Sequence, residues 1–345
     1  MTPCLAALKA WRPHVEITVV SEPRSAPLLE DNPLVDELII AGKSIASRMP
    51  LIARLRKACL DVAFNMHGGS TGTILARLAR AKHCVGYRGL PLSRLLSDRA
   101  PSPDVILGRS PIHSVEQQLA LLNWSGVPWP KSRPRLSLAV TPEVKARLRE
   151  RLQAPGGQRL SEGAGGGFGC IVPGAAFESK RWGAGGFAAV ADHLSARWNL
   201  PSIVIAGPGQ QKLAREVASA TRARAAVLDG LSLKELVALL EMAHVFVGND
   251  SGPMHIAAAL GRPVVAVWGS SDTTVWHPWT EAPWLLVGGD LAKRGEATGR
   301  RGDGAIKQVP ASEVIAAVDQ VLELALEANH KPGILNQAQR AKIDL

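Results

Sequence analysis

One tyrosine and five phenylalanines in 345 residues leave nine tryptophans as the main aromatic stock. No basic stripe is interleaved with these aromatics and no zinc-finger spacing occurs, which disfavours nucleic acid as a partner. Four cysteines, Cys4, Cys59, Cys84 and Cys170, stand far apart without a C-x-x-C pair. The N-terminus has no charged region followed by an apolar core, so reduced thiols in a cytoplasmic protein are expected. No run reaches the roughly 18 apolar residues of a membrane span, and any membrane contact is expected to be peripheral. Strict G-x-G-x-x-G and H-E-x-x-H motifs are also missing, and Gly42-Lys43-Ser44 lacks the earlier glycine of a phosphate-binding loop. These gaps argue against a dehydrogenase, a P-loop ATPase and a zinc protease, and no metal site or cofactor is indicated.

What is present is an ordinary globular composition with 46% apolar residues, in a length that suits about two domains. A net charge of +10 and a pI near 9.8 favour anionic partners such as nucleotides, phosphorylated sugars or acidic lipid head groups.

The chain opens on a helix, with Pro3 suited to a first turn and Leu5 and Leu8 on one face. Glu16 to Val20, Glu37 to Ile40, Asp61 to Asn65 and Cys84 to Gly86 read as strands, and Ser70 to Ala81 and Ser114 to Trp124 as helices. This alternation predicts a mostly parallel sheet. An α/β unit normally opens with a central strand feeding its first helix, and here no such strand precedes the helix. Leu136 to Val140 has strand character, and Pro142 to Leu152 is an amphipathic helix whose Lys145, Arg147, Arg149 and Arg151 suit a solvated face. Seven glycines between Ala154 and Gly169 mark an interdomain linker. The division expected is therefore residues 1–153, linker 154–169, a second domain 170–328 and a loose tail 329–345. The second half restarts the alternation from Cys170 and ends in a helix, Ala311 to Ala328, after a polar loop from Gly288 to Gly304. Two doubly wound Rossmann-like domains facing one another across a cleft are the economical α/β architecture.

The most informative stretch is Val245 to Asp272, which reads as strand, tight turn, helix and strand. It sets Asp250 and Ser251 at a helix N-cap with Gly252 just after, so that backbone N–H groups and the positive end of the helix dipole suit a phosphate. A second cluster, Pro173-Gly174-Ala175-Ala176-Phe177-Glu178-Ser179-Lys180-Arg181-Trp182, also follows a strand and precedes a helix. Both loops leave the carboxyl ends of strands, where ligands bind in open α/β sheets. Lys180 is placed to neutralise a diphosphate as a point charge, with Arg181 as helper or solvent-facing neighbour. Ala206-Gly207-Pro208-Gly209 is a third such loop, small enough for close approach of a nucleotide.

The run Val247-Gly248-Asn249-Asp250-Ser251-Gly252-Pro253-Met254-His255, continuing to Pro263, resembles the signature of glycosyltransferase family nine, the bacterial ADP-heptose:lipopolysaccharide heptosyltransferases. Pro173-Gly174-Ala175 with Lys180-Arg181-Trp182, the His113 to Gly126 segment, and Met66-His67-Gly68 ahead of Ala76-Arg77-Leu78-Ala79 match in the family's order. The resemblance covers roughly residues 1 to 325, and the second cluster is nearer to type II enzymes than to type I. It implies a two-domain GT-B fold, an acceptor held mainly by the N-terminal half, ADP-heptose held by the C-terminal half, and no metal. It also implies that Lys180 contacts the donor diphosphate, that Asp250 holds sugar hydroxyls, that Ser251 and Gly252 offer N–H groups to phosphate, and that His255 lies nearby. Pro173, Gly174, Ala175, Ala176, Gly207 and Gly209 complete the expected donor site. The implied partners are ADP-heptose, a lipid A-linked lipopolysaccharide inner-core acceptor, and the cytoplasmic face of the inner membrane.

Two departures accompany the resemblance. The family often carries hydroxyl residues where Ala175 and Ala176 stand, and an acidic residue near Gly207 to Gly209. It also opens with a strand and a Gly-Asp turn whose Asp is the expected general base, whereas this sequence begins at the following helix, Thr2-Pro3-Cys4-Leu5-Ala6-Ala7-Leu8-Lys9. The expectation is an N-terminal sheet short of its first strand, the general base absent with it, and a true start about 15 to 20 residues upstream. Two other readings stay open: a glycosyltransferase of the same fold using another nucleotide sugar, and a non-catalytic nucleotide-sugar binding protein.

Overall fold

A computed structural model of the chain describes residues 1–42, 44–153, 167–288 and 305–330. They belong to two compact units, Met1–Ala139 with Thr273–His277, and Val140–Asp272 with Pro278–Leu345.

The first unit runs α1 (Thr2–Trp11), β1 (Thr18–Ser21), β2 (Glu37–Ile40), α2 (Ile45–Lys57), β3 (Val62–Phe64), α3 (Ser70–Leu78), β4 (His83–Tyr87), β5 (Asp98–Ala100), α4 (Pro103–Leu107) and α5 (Ser114–Trp124). Every strand pair is parallel, but the strands form two separate sheets, β2-β1 and β3-β4-β5. A doubly wound sheet places its opening strand centrally, between the strands that here are β1 and β3. Among the described residues no strand joins β1 to β3, and the break between the two sheets falls at that place. Ile17 O and Ser21 O accept from the amides of Glu37 and Ala41, so strand alternation turns the Thr18 and Val20 backbone toward the break. On the other side, Asp61 O accepts from His83 N–H and Asn65 N–H donates to Val85 O, which turns Val62 and Phe64 toward it. The core of this unit falls into several clusters. Leu5, Ile17, Val19 and Leu29 form one cluster, Ile39, Leu51, Leu55 and Leu75 a second, and Val85, Ala100 and Leu121 a third.

The second unit holds α6 (Pro142–Gln153), β6 (Gly169–Val172), α7 (Ala184–Trp198), β7 (Ser202–Ile205), α8 (Gln211–Ala220), β8 (Ala225–Leu228), α9 (Leu233–Met242), β9 (Val245–Asn249), α10 (Gly252–Ala259), β10 (Val264–Val267), β11 (Trp284–Val287) and α12 (Ala311–His330). A short helix, α11 (Thr273–Trp276), lies in sequence between β10 and β11 and belongs to the first unit. Six parallel strands are ordered β11-β10-β9-β6-β7-β8. Every residue of β6, β7, β9 and β10 is buried, as parallel strands covered by helices on both faces require. One continuous cluster runs through Ile171, Phe187, Val204, Val247, Val265, Val318 and Leu322. The chain winds outward from β6 to β8 and then returns to place β9 on the other side of β6, so the strand order reverses between β6 and β9.

Helix α6 corrects the expected domain boundary. It stands in the second unit, with Val144, Leu148 and Leu152 buried, the helix packed on α9, and Lys145 paired with Glu241 at 2.7 Å. The division therefore precedes this helix, because its apolar face needs a partner whose identity depends on tertiary packing. Most of the expected linker, the loop after Gly288 and the tail from 331 lie outside the described residues. Leu136 to Val140 forms no strand. Its Ser137 N–H donates to Thr2 Oγ1 and its Ser137 O accepts from Asn32 Nδ2, both at 3.0 Å, so side chains rather than a ladder satisfy that backbone. The resulting α/β architecture has one complete and one interrupted parallel sheet.

Candidate functional site

Open α/β sheets bind ligands outside the carboxyl ends of the strands where their order reverses. In the second unit that place is the end of β6 and β9, and the two motif loops leave there. Beyond β9, Ser251 is the N-cap of α10, with extended backbone and Pro253 in the first turn. The Ser251 side chain does not cap the helix; its Oγ donates to Asn249 O at 3.2 Å. The N-cap side chain therefore leaves the positive end of the α10 dipole uncapped.

Asp250 is buried, and its Oδ2 accepts a hydrogen bond from Lys180 Nζ at 2.6 Å. Lys180 ends a single 3-10 turn, Glu178–Lys180, in the loop after β6. A Cβ at Gly269, just beyond β10, would stand 3.2 Å from Ser179 O, so the absence of a side chain there lets this turn approach the sheet end. Arg181 goes elsewhere: its Nε donates to Ala175 O at 3.0 Å.

Two residues to which the sequence assigned no role hold the loops in place. Asn249, fully buried at the last position of β9, donates from Nδ2 to Pro173 O at 2.7 Å and accepts at Oδ1 from Trp182 N–H at 3.1 Å. It fastens both ends of the β6–α7 loop to β9. Gln210 Nε2 donates to Ala175 O at 3.0 Å. Its Oε1 lies 1.7 Å from where a Gly174 Cβ would stand and 2.8 Å from one at Gly207, which is why both glycines are needed. A buried amide after a wholly apolar strand must be hydrogen-bonded, and that is the one sequence signal for Asn249. Gln210 offered none beyond lying between two glycine loops. Trp182 anchors the start of α7: its indole N–H donates to Val309 O at 2.9 Å, and its ring meets Phe187 edge-on at 4.9 Å.

The structure thus brings Lys180, Asp250, Ser251 and Gly252 to one strand edge and ties Pro173, Gly174 and Ala175 to the Gly207–Gly209 loop through Gln210. Ala176 is exposed, Gly209 adopts a φ of +73°, and His255 is half-buried one turn into α10. A compact cation beside an open helix N-terminus suits a diphosphate, and a neighbouring carboxylate suits hydroxyl groups. Among the described residues no group of three or more His, Cys, Asp or Glu is arranged to hold a metal ion.

In the first unit, ionisable groups after the strand ends include Glu22 beyond β1, paired with Arg24 at 2.7 Å, exposed His67 beyond β3, exposed Arg88 beyond β4 and exposed Asp104 in the first turn of α4 beyond β5. Asp250 is the one carboxylate among the buried polar residues described. His113 is the N-cap of α5, accepting at Nδ1 from Val115 N–H at 3.1 Å, which leaves its proton on Nε2 to donate to His277 O at 3.0 Å. Burial holds the His277 ring below the usual histidine range.

Known proteins match along most of the chain. Glycosyltransferase family 9 (heptosyltransferase) matches residues 48–291. Lipopolysaccharide heptosyltransferase 3 of Escherichia coli is 29% identical over 335 residues, covering 93% of this chain and 94% of that one. Lipopolysaccharide heptosyltransferase 2 of Salmonella typhimurium is 28% identical over 290 residues, covering 79% of each. Among solved structures, E. coli ADP-heptose lipopolysaccharide heptosyltransferase II superposes with a TM-score of 0.75 at 24% identity, covering 93% of this chain and 94% of that one. A family 9 glycosyltransferase from Veillonella parvula gives 0.75 at 22%, covering 93% and 92%. Both share the fold.

Proposed function

The chain belongs to glycosyltransferase family 9, and from that premise we propose that it moves heptose from ADP-L-glycero-D-manno-heptose to the inner core of lipopolysaccharide. The reaction is inverting and metal-independent in this reading, and it takes place peripherally at the cytoplasmic face of the inner membrane. The observation that carries it is the Lys180–Asp250 pair beside the open N-terminus of α10, at the reversal point of the complete sheet.

In transfer the acceptor hydroxyl oxygen bonds to the anomeric carbon and gives up its proton to water, while the bond from that carbon to the β-phosphate oxygen breaks and its electron pair leaves with ADP. Charge then grows on the diphosphate, where Lys180 and the helix dipole stabilise it without reorganising. Asp250 holds Lys180 in place and accepts hydrogen bonds from sugar hydroxyls. Ser251 and Gly252 lie at the helix start beside the phosphates, Pro173 to Ala176 with Gly207 and Gly209 form the walls, and His255 stands behind them. The membrane reading rests on the +10 charge and an acceptor that is itself lipid-linked and phosphorylated. No helix among the described residues is long and apolar enough to cross a membrane.

The test is transfer from ADP-heptose to a truncated-core acceptor, followed by ADP release and by the mass gain of the acceptor. A parallel screen of other nucleotide sugars checks the donor, because Gly207 to Gly209 carries no acidic residue. One observation favours a second reading, a donor-binding protein without transfer: the first unit has no buried carboxylate among its described residues to serve as a base. ADP-heptose bound tightly with no transfer to any core acceptor would select that reading.

A further inference from the structure

Residues 62–100 carry six Lys or Arg and a single acid, Asp98. They include β3, α3, β4 and the Arg88–Leu95 segment that leaves β4. That segment lies on α3, where Thr73 Oγ1 donates to Pro91 O at 3.1 Å and Leu96 is buried with Ala76 and Cys84. Leu92 and Leu95 of this segment are 50% and 43% exposed. Ile74, on the outer face of α3, is 40% exposed. Arg77, Arg88 and Arg94 are all exposed in the same stretch.

We propose that this face, with Ile74, Leu92 and Leu95 among Arg77, Arg88 and Arg94, docks on an anionic phospholipid bilayer. It rests on the peripheral-membrane part of the function proposed above and names the surface that makes the contact. Aliphatic side chains among arginines match a bilayer interface, in which the leucines enter the head-group region and the guanidinium groups meet lipid phosphates. Nucleic acid fits less well, since stacking needs aromatic rings and the patch has none. The face also adjoins the strand ends of its own unit: Gly68, in the loop after β3, packs against Leu90, whose Cδ2 would be 2.9 Å from a Cβ there. Docking here delivers a membrane-held acceptor to the carboxyl edge of β3 and β4, where an α/β sheet binds its ligand.

Co-sedimentation of the full chain with vesicles tests this. Binding is expected to vesicles of phosphatidylglycerol and phosphatidylcholine in equal parts, little to phosphatidylcholine alone, and less as salt rises. One cation near an anionic surface is worth about fivefold in partition, so R88E/R94E is expected to lose at least about 25-fold. L92S/L95S, with unchanged charge, is expected to lose about tenfold. R147E/R149E on the solvent face of α6 makes the same charge change elsewhere and is expected to stay within about threefold. Thermal melts of all variants confirm folding. Wild-type-like binding by both patch variants, an equal loss in the α6 variant, or tighter binding to a short DNA duplex than to vesicles overturns the assignment. Calorimetry with ADP-heptose separates the two readings. Donor binding without vesicle binding sinks the patch alone, and vesicle binding without donor binding sinks the donor reading alone.

Discussion

If Lys180 and Asp250 act as one electrostatic unit, their single and double variants should not add. Lys180 Nζ lies 2.6 Å from Asp250 Oδ2, with the side chains 25% and 7% exposed, so solvent screens the pair only weakly. In K180M the diphosphate of ADP loses a charge-assisted hydrogen bond of about 1.5–3 kcal/mol, which is roughly 10- to 150-fold in Kd. It also meets an Asp250 carboxylate whose charge is no longer balanced. Because Lys180 already balances that carboxylate in the wild type, D250N alone should leave ADP affinity within about twofold. The preference for ADP-heptose over ADP should fall by about tenfold as the sugar loses a charged acceptor. The double variant K180M/D250N should therefore bind ADP about three- to tenfold more tightly than K180M alone. Isothermal titration with ADP and ADP-heptose on all four proteins reads the cycle. Strict additivity, with the double variant no better than K180M, would refute the coupling. Unchanged ADP affinity in K180M would remove Lys180 from the donor site.

Four further outcomes can be checked separately. N249A strands the Pro173 carbonyl and the Trp182 N–H in a buried place, at about 1–3 kcal/mol each, so denaturant unfolding should show a loss of roughly 2–6 kcal/mol, and a loss below about 1 would contradict the fastening role. Burial pulls the Asp319 carboxyl upward, but hydrogen bonds from His193 and Trp198, both at 2.7 Å, outweigh it and hold the group below its ordinary 3.8. A depressed folded value contributes stability that is present above the unfolded value and lost as pH falls through the folded one. D319N should thus cost about 1–2 kcal/mol at neutral pH, with the gap to wild type closing in melts taken below pH 3.8. Cys59 is exposed while Cys4, Cys84 and Cys170 are buried, with burial pushing the Cys4 thiol up to about 11; one thiol should react quickly with a disulfide reagent in the native protein, and C59S should abolish that phase. Finally, the amides of Val20 and Val62, facing the break between β1 and β3, should exchange with deuterium at least about 100-fold faster than those of Val204 and Val247; equal protection would mean the break is closed in solution.

The second unit was largely legible because its signals are local. Helices Gln211–Ala220 and Leu233–Met242 and strands Val264–Val267 and Trp284–Val287 each carry their own apolar pattern and end at turn residues. The β9–α10 unit and its place at the strand ends followed from one pass along Val245 to Asp272. The short elements β5 and α11 were missed: Asp98-Arg99-Ala100 has no alternation, and a helix of four residues has no period to detect. Asn249 and Gln210 escaped for another reason. Their partners are backbone carbonyls 76 and 35 residues away, and a carbonyl leaves no mark in a sequence. Sequence reasoning already assigned the diphosphate to Lys180 and left Arg181 as helper or solvent-facing neighbour; what the fold adds is the partner of Arg181, the Ala175 carbonyl, which takes it away from Asp250.

The first unit shows where local reading stops. Val62 to Phe64 and Thr18 to Ser21 were each recognisable as strands from their own residues, yet whether they share a sheet depends on what lies between them. Parallel neighbours stand about 4.8 Å apart and each strand bonds on both edges, so one missing partner leaves two edges open at once. It also separates the apolar side chains that a central strand would have joined, which is why Leu5, Ile17 and Val19 pack apart from Val85, Ala100 and Leu121. A strand's existence is written in its own few residues; the continuity of a sheet is a property of its order, and order reverses around the central strand. The same topological fact that fixes the site in the second unit, between β6 and β9, explains the break in the first.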